Sequence, residues 1–204
     1  MAEIKLTKNE LRAQQNHLGQ LQKYLPTLQL KKAMLQLEVN ESRVEIAQLE
    51  AKFEENYSWV RSFSDILSVT TVVDYRKAIE LESIKKHYEN IAGVEVPYLD
   101  EVQFKPFEYS LFETPAWLDS AIHGLRNLAE SKIRIDVAKE KKAALENELR
   151  EVSIRVNLFE KVLIPRAEQN IRKIKVFLGD QQLAAVSQAK VAKAKIVEKQ
   201  SDAL

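Results

Sequence analysis

The chain has 204 residues, with no cysteine, four glycines, five prolines and 31 basic against 30 acidic side chains. So few turn-forming residues exclude a β-sandwich, a barrel or a glycine-rich nucleotide fold, and the lack of thiols excludes disulfides, thiolate catalysis and cysteine-type zinc sites. A formal net charge of +1, with 30% charged and 45% hydrophobic residues, fits long half-exposed helices and gives no global field for nucleic acid or an anionic membrane.

The opening Met1 to Leu11 has no apolar core of signal-peptide length. The longest apolar run, Leu183 to Val186, falls far short of the roughly 20 residues of a membrane span. Residues 27–92 and 125–164 hold neither Gly nor Pro, whereas Gly93 and three prolines crowd into 93–115. Two long arms and a broken middle follow. The chain divides into an N-terminal coiled-coil helix over 1–63, a central head over 64–114, and a C-terminal coiled-coil helix with a basic tail over 115–204.

The first arm carries a heptad seam. Its a positions are Leu11, Leu18, Leu25, Lys32, Val39, Ile46, Phe53 and Val60, and its d positions are Gln14, Leu21, Leu28, Leu35, Ser42, Leu49, Asn56 and Phe63. Twelve of these sixteen are apolar, which is a coiled-coil stripe. Over residues 11–63 such a helix spans about 80 Å. Pro26 has no N–H to donate, so a kink or a fresh helical start is expected there.

In the middle, twelve of the fifteen aromatics lie between Phe53 and Trp117, and residues 64–114 have a net charge of −5. Residues 65–80 read as helical or mixed. Leu81–Asn90 and Val94–Phe104 read as two short strands around Gly93. Trp59 and Trp117 flank this head and are expected in its core, with a partner anchor as the alternative role for one of them.

Thr114-Pro115 predicts the start of the second arm, with a hydroxyl cap and a proline at the first helical position. Leu145, Leu149, Val152, Val156, Phe159 and Leu163 form its seam, which resumes after Pro165 at Ala167, Ile171, Ile174 and Leu178. The four-residue steps around Pro165 are a stutter. Gly179 reads as a C-terminal cap, with a second helical piece from Asp180 to Gln200. The fold class is therefore all-α dominated: a long antiparallel two-helix coiled coil with a small central head that has room for a short β-hairpin. Paired positions sum to about 178 or about 190, depending on where the chain turns, and the C-terminal end overhangs the N-terminus by roughly 14 to 27 residues.

Catalytic chemistry is hard to find. His17, His87 and His123 are not at metal-ligand spacing and read as solvated or partly packed. No two glycines are close enough for a phosphate loop. Glu146, Glu148 and Glu151 read as a solvated helix-face arrangement. Residues 161–199 have a net charge of +6. There Lys190, Lys193, Lys195 and Lys199 form either a solvated face or a contact for an acidic protein surface. Nucleic acid is disfavoured because no aromatics interleave for base stacking.

The run from Ser153 to Pro165, with Arg155, Val156, Asn157, Glu160, Ile164 and Pro165, resembles the C-terminal signature of the D-subunit family of V-type ATPases/ATP synthases. Asn90 to Pro97, including Gly93 and Pro97, resembles that family's middle motif. Leu6-Thr7-Lys8 with Leu11, and Leu28 to Lys32, resemble its N-terminal pattern. The likeness covers about residues 4–180 and is closest to bacterial members, while Asp180-Gln181-Gln182 departs from it.

The resemblance implies a non-catalytic central rotor shaft without a cofactor. Its partners would be a ring of catalytic A and regulatory B subunits, the F subunit of the stalk, and a d (or C) subunit that forms the socket on the membrane rotor. It would be cytoplasmic and peripheral at the inner face of a membrane, with Arg155, Asn157, Glu160, Ile164, Pro165, Gly93, Pro97, Lys190, Lys193 and Lys195 as candidate partner contacts. The alternative from another class is a prefoldin-like coiled-coil chaperone or scaffold subunit.

Overall fold

The computed structural model describes residues 4–62, 65, 75–110 and 114–201. They form α1 (Lys8–Ser62), a 3-10 turn (Tyr75–Ile79), β1 (Leu81–Ile91), β2 (Val94–Phe104), α2 (Trp117–Leu158), a π turn (Phe159–Leu163) and α3 (Ile164–Ser201). The chain divides into two bodies. One is Met1–Leu30 with Ser153–Leu204, and the other is Lys31–Val152.

Burial follows the seam position by position. Every described a and d residue of α1 is buried or half-buried, and Phe63 lies outside the described residues. The second seam behaves likewise from Leu145 to Leu178. In the body Lys31–Val152, Leu35, Val39, Ile46 and Val60 form the α1 side of the core, with Ile135, Ala138, Leu145 and Val152 on α2. In the other body the core is Leu21 with Val156, Ala167, Ile171 and Ile174. Each fully buried Leu or Ile contributes about 1.5–3 kcal/mol. The helices run antiparallel within each body. Arg43 pairs with Glu146, Glu45 with Lys141 and Glu50 with Lys139 in one; Gln14 bonds Asn170 and Gln29 bonds Glu160 in the other. These three ion pairs lie nearer the second of the two expected registers, whereas a fourth, Lys31–Glu148, lies nearer the first.

Several expected breaks are absent. Pro26 lies inside an unbroken α1, whose start is capped by the Thr7 hydroxyl accepting the Glu10 N–H at 3.2 Å. Gly179 does not end a helix, because α3 continues through it to Ser201. Nor does Thr114 cap α2: its hydroxyl donates to the Ser110 carbonyl at 2.8 Å, and the helix begins at Trp117.

At Pro165 the helix changes pitch instead of breaking. The Ile164 N–H reaches back five residues to the Phe159 carbonyl. From Val156 to Ile171 the seam spends fifteen residues on four turns. A straight α-helix would drift about 60° over that interval, and the wider π turn takes up the extra residue.

The strands fall where the sequence placed them, in antiparallel register with Ile91 opposite Val94 and Leu81 opposite Phe104. Ala92 and Gly93 both have positive φ, 51° and 83°, the two-residue turn that matches strand twist. The Asn90 side-chain carbonyl accepts the Gly93 N–H at 2.9 Å and holds that turn. Register shifts leave Glu82 and Asp100 as bulged residues.

A satellite core of Ala78, Leu118 and Ile122 carries Phe107, Tyr109 and Trp117. Arg126 ties it together, donating to the Ala78 carbonyl at 2.8 Å and lying 5.4 Å from the Phe104 ring. Trp117 thus meets its expectation. Trp59 does not, being 50% exposed with its ring over Gly124.

Two substitutions test the packing. A methyl on Gly124 would sit 2.2 Å from the Trp59 ring, so Gly124→Ala should cost about 1–3 kcal/mol in urea denaturation and shift the tryptophan emission. Ser42, at a d position, is 1% exposed and its hydroxyl has no hydrogen-bond partner. Ser42→Ala should therefore raise stability by about 1 kcal/mol in the same assay.

Candidate partner-docking surfaces

The hairpin lies along the helices of its body. Lys86 pairs with Glu140 of α2 at 2.7 Å, and a methyl at Gly93 would meet Lys31 Nζ of α1 at 3.6 Å. Between these points Lys141 is 8% exposed, which is unusual for a lysine. Its ammonium donates to Glu45 Oε2 at 3.2 Å and sits 4.3 Å from the Tyr98 ring centroid. One cation therefore joins α1, α2 and β2. Burial alone would lower its pKa, but the hydrogen bonds to Tyr98 and Glu45 outweigh this and hold it above the usual lysine value. Tyr98 also stacks on His87, at 5.4 Å, whose Nδ1 lies 2.6 Å from Asp100 Oδ1. Pro97 is buried opposite Tyr88, whereas Gly93 is exposed at the tip.

The 153–165 run presents two faces. Val156 is buried, and Ile164 and Pro165 are half-buried beside the π turn. Arg155, Asn157 and Glu160 are exposed, and Glu160 accepts from the Gln29 amide. Ile154, Leu158 and Val162 are exposed as well. These five candidate residues, Arg155 through Pro165, share one short segment. Gly93 and Pro97 belong to the hairpin of the other body. Glu146 and Glu148 differ from expectation. They are not a solvated helix face, because Arg43 and Lys31 of α1 bond them at 2.9 and 2.6 Å. The Glu146 hydrogen bond to Arg43 holds its carboxyl below the usual range.

Beyond Leu178 the seam runs out of partner. Every residue from Asp180 to Ile196 is exposed, including Leu183, Val186, Val191, Ile196, Lys190, Lys193 and Lys195. The apolar four were not singled out from the sequence. The signal available was a helical stretch extending past the reach of the first arm. Among the described residues, no group of three His, Asp or Glu could hold a metal, and no helix is long and apolar enough to cross a membrane.

A family model for the D subunit of ATP synthase matches residues 10–194. The chain belongs to the ATP synthase D-subunit family. It is 45% identical over 195 residues to the V-type ATP synthase D subunit of Chlamydia pneumoniae, covering 95% of this chain and 93% of that protein. It is 41% identical over 202 residues to the protein of the same name from Chlamydia abortus, covering 98% and 97%. The counterpart in Chlamydia muridarum is 45% identical over 196 residues, covering 96% and 97%. Family membership sets the chaperone alternative aside.

For this D subunit the hairpin contact has a definite pH signature. Lys141 carries a raised pKa, so its contribution is complete below its unfolded value of about 10.5 and is lost as pH rises through the higher folded value. Lys141→Met keeps most of the packing but removes the charge. It should loosen the hairpin by about 1–2 kcal/mol, read as faster amide exchange across β2, and abolish that alkaline loss.

Proposed function

We propose that this chain is the non-catalytic central shaft of a V-type ATP synthase or ATPase. In this reading α3 sits inside a ring of catalytic A and regulatory B subunits. The stalk's F subunit lies on its side, and a socket formed by a d (or C) subunit joins it to the membrane rotor on the cytoplasmic side. The carrying observation is the bare stretch Asp180 to Ile196. An isolated helix of that length is marginal in water, and this one exposes four large apolar side chains together with its lysines. Enclosure by other subunits supplies the cover that the described residues do not provide.

The mechanism is steric and electrostatic. A shaft whose faces differ binds the ring's conformations unequally at each angle, and rotation passes those preferences around the ring. Lysine contacts along an exposed helix are worth about 1 kcal/mol or less apiece, so many weak contacts share the load.

Three measurements test the reading. Calorimetry on the purified chain should detect no ATP binding, and stoichiometric binding would contradict a purely mechanical role. A cysteine at position 190, cross-linked to a ring subunit, should stop ATP hydrolysis until reduced; unchanged turnover would mean that the helix end does not rotate within the ring. Removal of the chain from Ser187 onward should weaken coupling in the assembled complex and leave the helical circular dichroism of the remaining seam intact.

A further inference from the structure

Both long helices lose backbone hydrogen bonds at one level of the pair. On α1, Pro26 has no N–H to give the Gln22 carbonyl. The Thr27 hydroxyl also donates to the Tyr24 carbonyl at 2.8 Å, in competition with the helix ladder. Opposite, the Phe159–Leu163 turn is of π type, and Pro165 follows without an N–H, so a rung is missing there too. Gln29 bonds Glu160 inside the π turn, and Pro26 stands less than one helical turn from Gln29. The two weak points therefore face each other within the body Met1–Leu30 with Ser153–Leu204.

The core thins at the same level. No residue over 22–30 or over 157–166 is fully buried. Leu25, Leu28, Phe159, Leu163 and Ile164 are half-buried there, whereas Leu21, Val156 and Ala167 at the edges are buried. Packing thus does not replace what the ladder lacks. The division of the chain into two bodies falls close by, after Leu30 on α1 and before Ser153 on α2.

We propose that this level is a torsional joint: under load the pair twists here first, while the seam over residues 35–60 keeps its register. The proposal rests on the shaft reading and adds where, and for what physical reason, the shaft yields. Prolines and π turns are the usual sites of helix deformation, and here a proline on one helix is set against a π turn and a proline on the other. A single soft point would strain one helix against a stiff partner. Two at one level let both helices deform together.

The first test is amide hydrogen exchange on the isolated full chain. Residues 27–30 and 158–164 should exchange at least about tenfold faster than residues 35–49 and 145–152. The double variant Pro26→Ala with Pro165→Ala restores one N–H to each helix and should slow exchange in those two windows at least about threefold. Ser42→Ala strengthens the seam outside the joint and should leave the windows unchanged. The second test uses the assembled complex, with the ring fixed and nucleotide absent. A bead carried by Glu95→Cys, at an exposed position of the hairpin, reports the angle of its body. The double variant should cut the variance of that angle about twofold, and Ser42→Ala should not change it. Uniform protection across the windows, or a variance that both variants leave alone or narrow alike, refutes the joint and leaves the shaft reading standing. A bead that does not turn when ATP is supplied refutes the shaft reading, while the exchange windows still decide whether the joint exists.

Discussion

A helix paired with one other helix can bury only the stripe that faces its partner. Here that stripe is the heptad seam, and its burial runs from Leu11 to Val60 on α1 without a described exception. Everything outside the seam must be covered by something else or remain in water. The hairpin covers part of one flank, through Lys141, Tyr98 and Glu45. The Ile154, Leu158 and Val162 face and the helix beyond Leu178 have no such cover among the described residues. An incomplete core is thus a direct result of the architecture, and it fits membership of a family of ATP synthase subunits.

The seam was legible in the sequence because a seven-residue repeat is a local, additive signal. The hairpin was legible for a similar reason, since strand-like runs flank a glycine that accepts positive φ. The breaks were less legible. Pro26 and Gly179 carry strong local penalties, yet the helices pass through both: half-buried seam residues Leu25 and Leu28 flank Pro26, whereas α3 continues past Gly179 with every residue from Asp180 to Ile196 exposed. The π turn at Phe159–Leu163 was visible only as a stutter in the seam, and periodicity alone does not say how a helix absorbs an extra residue. Docking of the hairpin along the helices depends on Lys141, Glu45 and Tyr98, which are 43 to 96 positions apart and share no motif. Of the candidate contacts, Arg155, Asn157 and Glu160 are exposed, and the expected overhang of the second arm was the one sign that Leu183, Val186, Val191 and Ile196 would lie beyond the reach of α1.

Ion pairs have a different task from the apolar seam. The four between α1 and α2, at Lys31–Glu148, Arg43–Glu146, Glu45–Lys141 and Glu50–Lys139, are mostly exposed and add little stability. A seam with a seven-residue repeat has a weakness that they address: sliding one helix by a heptad presents apolar residues to apolar residues again, so burial alone discriminates poorly between registers.

Charge does discriminate. Sliding α2 by seven residues one way would bring Lys31 to Arg155, Glu45 to Glu148 and Glu50 to Glu146, three repulsive pairs in place of attractive ones. Sliding it the other way would bring Lys31 to Lys141 and Arg43 to Lys139, leaving Glu45 and Glu50 with Arg134 and Lys132. Either slip also pulls Lys141 from beneath Tyr98, so the hairpin comes away as the register fails. The native register is then favoured by pairs that are individually weak: one slip turns three of them repulsive and the other turns two. A shaft under torque needs this property more than it needs depth of stability, because a helix pair that slips stores no twist and transmits none. The charge pattern on α1 and α2 is therefore a mechanical feature of the rotor proposed here, and the buried Lys141 is the point where helix register and hairpin position are read by the same side chain.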